Sequence, residues 1–259
     1  MDKFKLIDTH AHIYDDKIFA ELENVISRAK DIGVEKILMP NVDTSTVARM
    51  LEIEETYEMC HAMMGLHPCH VGNDWLHEIK MLEAYWATRT FVGVGEIGID
   101  LYWDKTHYKE QVDCFQRQID FAKDVERPIV IHSRDSIDIC INEVLQRQNG
   151  SLRGVFHCFT GDANQAEQIK DLGFFIGIGG VVTYKNANLG QIIASNGVSN
   201  IIIETDSPYL PPVPHRGKIN EPSYIEFVLK RVAESLNEDI SVVAEKLFSN
   251  SEKLFFSKI

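Results

Sequence analysis

Residues 5–31 read KLIDTHAHIYDDKIFAELENVISRAKD. The stretch opens on a short apolar run that ends in two histidines, His10 and His12. It continues as a helical pattern over 15–31, with Ile18, Leu22, Val25, Ile26 and Ala29 on one face. Strand, polar strand end and helix then recur along the chain. Strands are predicted over 5–9, 36–41, 60–66, 91–95, 129–132, 154–159, 174–178 and 200–204. Most are continuous Val/Ile/Leu runs, as strands buried on both faces require. Helices are predicted between and after them, over 45–57, 74–88, 108–125, 135–148, 163–172, 189–195, 221–236 and 240–248. Gly33, Gly150 and Gly173 stand at helix ends, where left-handed caps are expected. Eight parallel strands with right-handed crossovers close most economically as an α/β (β/α)8 TIM barrel. A doubly wound open sheet is the structural alternative. It lacks support, because GIGG at 177–180 does not have the spacing of a phosphate fingerprint.

Composition sets the outer bounds. The chain has 259 residues, a length that α/β barrels reach as one unit. We read residues 1–259 as a single barrel domain with its metal site at the C-terminal ends of the strands. Apolar content of 44% and charged content of 25% fit an ordinary globular protein. No apolar run approaches the ~20 residues of a membrane span, and MDKFKLIDTHAH reads as a first strand, not a secretion signal. The five cysteines form no CxxC pair, which predicts reduced thiols and a cytoplasmic location. Cys158 follows His157 in a strand and is expected on the opposite face as a small buried hydrophobe. A net charge of −13 argues against broad coating by nucleic acid. It still permits one nucleotide end to enter a pocket where bound cations supply positive charge.

Five strand-like segments end in a ligand type: LIDTHAH (His10, His12), VGVGEIGID (Glu96), PIVIHSR (His132), GVFHCFTG (His157) and IIIETDSP (Asp206). Chemistry in a parallel barrel sits at these strand ends. Six ligands exceed the need of one open catalytic metal and suit two metals sharing a carboxylate. His10 and His12 are two apart, so strand alternation lets both reach one cation. Glu96 is expected to end the fourth strand and bridge the pair. His132 and His157 would serve the second metal, and Asp206 would close the ring beside the first strand. Each residue has a plainer alternative taken alone. The histidines could be satisfied near a barrel mouth, and Glu96 could pair with Arg134.

Four imidazoles and two carboxylates suit Zn, Mn, Co or Ni, and accommodate Mg with waters. Two divalent metal ions per chain are therefore expected. Zn would bring a bound water's pKa toward ~7. Asp206 is the candidate general base and Glu96 the other catalytic carboxylate. Glu204 points to the other face if the strand continues, but the TDSP turn could swing it in, and we read it as standing behind the ligands.

IDTHAH, GEIGID, IHSR, HCFTG, ETDSP and HRGKINEP, in that order from Ile7 to Pro222, resemble the TatD-family metal-dependent hydrolases of the amidohydrolase superfamily. The resemblance implies a (β/α)8 barrel and a divalent metal centre. It implies a deoxyribonuclease, often a 3′→5′ exonuclease, and carries the ligand roles onto His10, His12, Glu96, His132, His157 and Asp206. Many amidohydrolases bridge their metals with a carboxylated lysine, whereas Glu96 stands there in the TatD pattern.

Substrate roles fall to His67 in GLHP, to Arg134, and to Arg216, Lys218 and Asn220 in HRGKINEP. Each has a bland reading as a capped histidine, a salt bridge or a solvated charge run. Tyr102, Trp103, Phe159 and Tyr209 flank the same motifs and could stack a base. His61, His70, His77 and His107 are read as structural or exposed. The expected function is metal-dependent cleavage of DNA phosphodiester bonds at single-stranded ends. One rival is hydrolysis of another ester or amide on the same centre, such as a small phosphoester or aminoacyl-tRNA. The other is a non-catalytic, metal-stabilised binding module. The expected partner is a DNA end or another small phosphoester, with no membrane and no obligate protein partner.

Overall fold

The structure, a computed structural model, describes residues 4–103 and 105–257. The first three residues, Asp104, Lys258 and Ile259 lie outside them. Eight strands occur in chain order: β1 Leu6–Asp8, β2 Val34–Met39, β3 Cys60–Ala62, β4 Val94–Asp100, β5 Ile129–Arg134, β6 Gly154–Phe156, β7 Phe175–Ile178 and β8 Ile201–Ile203. All pair in parallel, as β1-β2-β3 and β4-β5-β6-β7-β8. Backbone hydrogen bonds close both seams. Met64 N donates to Gly93 O at 3.1 Å and Gly95 N to Met64 O at 3.2 Å, which joins β3 to β4. Thr9 N donates to Ile203 O at 3.3 Å, and Ala11 bridges Ser207 in parallel, which joins β8 to β1. The molecule is a TIM barrel.

Among the described residues, ten α-helices surround it: α1 Asp16–Phe19, α2 Leu22–Ile32, α3 Val47–Thr56, α4 Trp75–Ala84, α5 Tyr108–Asp124, α6 Ile137–Arg147, α7 Ala163–Asp171, α8 Leu189–Asn196, α9 Ile225–Leu236 and α10 Ile240–Phe255. Gly33, Gly150 and Gly173 take left-handed conformations, with φ of 98°, 89° and 78°. Strand alternation divides the core. Ile129 and Ile131 pack outward with the helices, while Val130 faces a second cluster with Ile7, Leu38, Met63, Val155 and Ile202. This inner cluster fills the barrel. Leu254 and Phe255 of α10 close it from below.

Four expectations need correction. The helix predicted over 15–31 is two helices, α1 and α2, and nothing in Ala20 or Glu21 explains the break. The last helix runs seven residues past 248, through Ser-Asn-Ser. Those polar side chains find backbone carbonyls: Ser251 Oγ donates to Leu247 O at 3.0 Å, and Asn250 Nδ2 to Val198 O and Ile201 O, each at 2.8 Å. The fourth strand spans 94–100, not 91–95, so Glu96 lies within it and Asp100 ends it. Gly98 there is no breaker. A Cβ at Gly98 would meet His132 O at 2.0 Å, so glycine lets β4 approach β5 closely. Finally, β6 ends at Phe156 and Cys158 takes a positive φ of 45°, so alternation does not carry its side chain to the opposite face. All five thiols are free.

Candidate metal centre

The C-terminal mouth of the barrel gathers the six expected ligands around one carboxylate. Val130 and Val155 face inward, so His132 and His157, two residues further on, do the same. Asp8 ties the first and last strands together below the mouth. Its Oδ1 accepts from Thr205 N at 2.9 Å and its Oδ2 from Thr205 Oγ1 at 2.6 Å. Asp206 N then donates to His10 O at 2.9 Å, which sets Asp206 beside the histidine pair.

Glu96 is 2% exposed and faces two groups of imidazoles. Its Oε2 lies 3.2 Å from His10 Nε2 and 3.5 Å from His12 Nε2. Its Oε1 lies 2.7 Å from His157 Nε2, 2.8 Å from His132 Nδ1 and 3.5 Å from His67 Nε2. Asp206 Oδ1 completes the first group, 3.8 Å from His10 Nε2 and 3.6 Å from His12 Nε2. Glu96 therefore pairs with histidines and not with Arg134.

Partners behind His12, His132, His157 and His67 bear on where each ring carries its proton, whereas His10 Nδ1 has no hydrogen-bond partner among the described residues. Tyr14 Oη donates its single proton to Pro40 O at 2.5 Å, so at 2.8 Å from His12 Nδ1 it must accept. His12 Nδ1 carries the hydrogen and Nε2 keeps its lone pair toward Glu96 and Asp206. His132 stands between two carboxylates, Nε2 2.9 Å from Asp100 Oδ2 and Nδ1 2.8 Å from Glu96 Oε1; burial lowers its pKa, but the hydrogen bonds to Asp100 and Glu96 outweigh it and raise it. His157 Nδ1 stands 3.3 Å from Glu204 Oε1. Carboxylates and hydroxyls behind imidazoles orient metal-binding rings in this way. His67 is different. Its Nδ1 accepts from Cys69 N at 3.1 Å, so in the neutral ring Nε2 bears the hydrogen. It clusters with Glu96 and His132 but presents a donor to the mouth, not a lone pair.

The donor set fits divalent cations. His10 Nε2 and His12 Nε2 are 3.2 Å apart, and two N–H groups cannot point at each other across that gap. At least one of them therefore offers a lone pair beside the buried carboxylate oxygens, and with His10 in its Nδ1–H form both would converge on a cation. Burial and the neighbouring His157 push the His10 pKa down to about 4, so its ring stays neutral. Burial, against a partial offset from Glu96, likewise brings His67 to about 4. Burial alone would raise Glu96, but His157, His67 and His10 outweigh it and hold it well below the carboxylate range. Burial pushes Asp206 up to about 6.

Glu204 stands behind the ligands, as expected, while other residues depart from the sequence reading. It is two residues beyond inward-facing Ile202, is 1% exposed, and its Oε1 accepts from Cys158 N at 2.5 Å. GIGG makes that possible, since a Cβ at Gly177 would lie 2.4 Å from Glu204 Oε2. Asn220 is not available to substrate. It is fully buried, and its Nδ2 donates to Thr205 O at 2.7 Å and Tyr209 O at 2.6 Å, which clamps the loop after β8. Arg134, Arg216 and Lys218 are exposed, and Arg216 lays its guanidinium over Tyr184 at 4.2 Å. Phe159 is buried in the core, so it cannot stack a base. His70 pairs with Asp43 at 2.7 Å. Sequence reading missed Asp100 and Tyr14. Each carried a signal: Asp100 closes the alternating run Ile97, Ile99 in GEIGID, and Tyr14 lies two residues after His12.

Residues 7–256 match the family described as TatD related DNase. The chain belongs to the TatD family. It is 35% identical over 251 residues to the metal-dependent hydrolase YabD of Bacillus subtilis, covering 96% of this chain and 98% of that one. The crystal structure of the TatD homologue YjjV from Escherichia coli superposes with a TM-score of 0.91 at 30% identity, covering 98% of each chain. A TatD-family hydrolase from Entamoeba histolytica shares the fold, with a TM-score of 0.85 at 21% identity and full coverage of both chains. This TatD-family chain is thus a metal-dependent hydrolase built on a TIM barrel. Among its described residues no helix is long and apolar enough to cross a membrane.

Proposed function

We propose that the protein cleaves phosphodiester bonds of DNA, as a 3′→5′ exodeoxyribonuclease acting on single-stranded ends. One observation carries the reading: the two oxygens of Glu96 face different ring nitrogens, Oε2 those of His10 and His12 and Oε1 those of His132 and His157, while His10 and His157 stack at 3.9 Å. His10, His12, Asp206 and Glu96 Oε2 would hold one divalent cation. His132, His157 and Glu96 Oε1 would hold a second. Such a pair, when bound, stabilises charge on the attacking and leaving oxygens of an in-line displacement and ionises water near neutral pH.

The chain's own residues do the rest. Asp206 has the most exposed side chain of the two central carboxylates, at 13% against 2% for Glu96. It accepts the proton of the attacking water at its carboxylate. Nε2–H of His67 donates to a phosphoryl oxygen. Arg134 and Arg216 hold the phosphate from the rim, with Lys218 adding a charge further out. These few rim cations on a chain of net charge −13 support recognition of an end over a long duplex. The family description as a DNase supports DNA as substrate.

The test is degradation of end-labelled single-stranded DNA in chelator, with add-back of Mg²⁺, Mn²⁺ or Zn²⁺. Laddering from the 3′ end that requires the metal is expected. Activity that survives chelation, or cleavage of acyl esters with no attack on DNA, would overturn the reading.

A further inference from the structure

The rim between β4 and β5 carries a group that neither the barrel nor the cluster around Glu96 requires. Tyr102 and Trp103 follow β4 and are 55% and 69% exposed. Their rings meet edge to face with centroids 4.9 Å apart. Arg134, the last residue of β5, places its guanidinium 3.9 Å from the Tyr102 ring centroid and 5.4 Å from that of Trp103.

Two features set this cluster apart from scattered surface aromatics. The first is charge. Arg28, Arg49, Arg89, Arg117, Arg147 and Arg231 each have a carboxylate within 4.0 Å. Arg134 has none among the described residues, as is also true of Arg127, Arg153 and Arg216, but it alone of these four lies against two exposed aromatic rings. A guanidinium held flat on an aromatic face keeps its N–H edge for an external anion. The second is anchoring. Tyr102 N and Trp103 N both donate to Asp100 Oδ1 at 2.9 Å. The other oxygen of Asp100 accepts from His132 Nε2, also at 2.9 Å. One carboxylate therefore holds both the aromatic loop and a ring that faces Glu96. The remaining aromatic candidate at the mouth, Tyr209, is engaged: its hydroxyl donates to Asp15 Oδ2 at 2.9 Å and Lys17 Nζ lies 4.8 Å from its ring.

We infer that Trp103 and Tyr102 form a stacking platform for an unpaired nucleobase, while Arg134 holds the phosphate beside it. The inference rests on the proposed nuclease function and adds to it which element selects single strands. Every base offers a π-face, so such a platform tolerates any sequence. A duplex hides those faces in its own stack, so the platform works only on unpaired nucleotides.

The experiment pairs two substrates with three proteins. The substrates are a single-stranded oligonucleotide and the same strand with abasic sites over its last three 3′ positions. The proteins are native, Trp103→Ala and Trp103→Phe. Binding is read from fluorescence anisotropy of the strand, labelled at its 5′ end, in chelator, and KM and kcat are read with metal restored. Native protein is expected to bind the intact strand about tenfold more tightly than the abasic one, the scale of one stacked base. Trp103→Ala should raise KM for the intact strand by about tenfold, by less than about twofold for the abasic strand, with Trp103→Phe restoring most of the difference. Native protein that cleaves both strands with equal KM would overturn the platform and leave the nuclease reading standing. Equal losses on both strands in Trp103→Ala would do the same. Absence of both binding and cleavage of any single strand by native protein would overturn both. A change of sedimentation mass in Trp103→Ala would overturn the platform by marking the patch as a contact between copies of the chain.

Discussion

Asp100 Oδ2 accepts a hydrogen bond from His132 Nε2 at 2.9 Å, which commits the Nδ1 of that ring to Glu96. Burial would raise the Asp100 pKa, but His132 and the N–H groups of Trp103 and Tyr102 outweigh it and hold it well below the usual carboxylate range. The carboxylate is thus a fixed negative acceptor behind the ring. Replacing it removes the constraint on which nitrogen carries the proton.

Asp100→Asn should therefore weaken metal binding without touching a ligand. The expected loss is about 10–100-fold in affinity or activity, the range for such supporting groups. Isothermal titration of the chelated protein with Mn²⁺ measures it. An unchanged affinity would show that His132 is oriented by other contacts.

The fold was largely legible because its signal is repetitive. Eight apolar runs, each followed by helical periodicity, leave few topologies, and the ligands all gather at the C-terminal mouth, Glu96 and His132 from within their strands. What escaped reading did so for local reasons. The strand predicted over 91–95 stops at Gly95, whereas β4 runs on past Gly98, where two strands approach closely, so Asp100 falls outside the predicted span. Ser-Asn-Ser at 249–251 read as a helix stop, because the carbonyls that satisfy Asn250 come from residues about fifty positions away in sequence. Asn220 looked like a substrate amide for the same reason. Its partners, Thr205 O and Tyr209 O, become neighbours only once the loop after β8 has folded. His67 was legible as a donor, but the proof lies in the Cys69 N–H that occupies its Nδ1.

Asp206→Asn separates proton transfer from binding. The amide cannot accept the proton of the attacking water. Turnover of single-stranded DNA should fall by about 10²–10⁴-fold, the usual contribution of a positioned acid or base. Affinity for the strand, set by the rim cations, should change far less. Single-turnover kinetics alongside fluorescence binding distinguish the two, and equal turnover would remove Asp206 as the base.

The loop after β8 is also pinned to α2, and this contact gives a pH signature away from the metal centre. Arg28 Nε and Nη2 donate to Glu221 Oε1 and Oε2 at 2.7 and 2.6 Å. Burial works to raise the Glu221 pKa, but the Arg28 and Ser223 hydrogen bonds outweigh it and depress it below the ordinary value of 4.5. A depressed carboxylate stabilises the fold above its unfolded pKa and loses that contribution as pH falls through the folded one. Arg28 is half-exposed, which screens the pair. Glu221→Gln should cost about 1 kcal/mol near pH 7, or about 2–4 °C in melting temperature. Thermal melts of the two proteins should converge toward pH 3. A difference that persists there would mean the loss comes from packing, not charge.

Glu96 joins the two halves of the centre, so metal stoichiometry tests the account most directly. Titration of chelator-treated protein with Mn²⁺ or Zn²⁺ should reach two equivalents per chain. Glu96→Ala should lose at least one of them while circular dichroism shows the barrel intact. One equivalent in the native protein, undiminished in Glu96→Ala, would contradict a bridging role for Glu96.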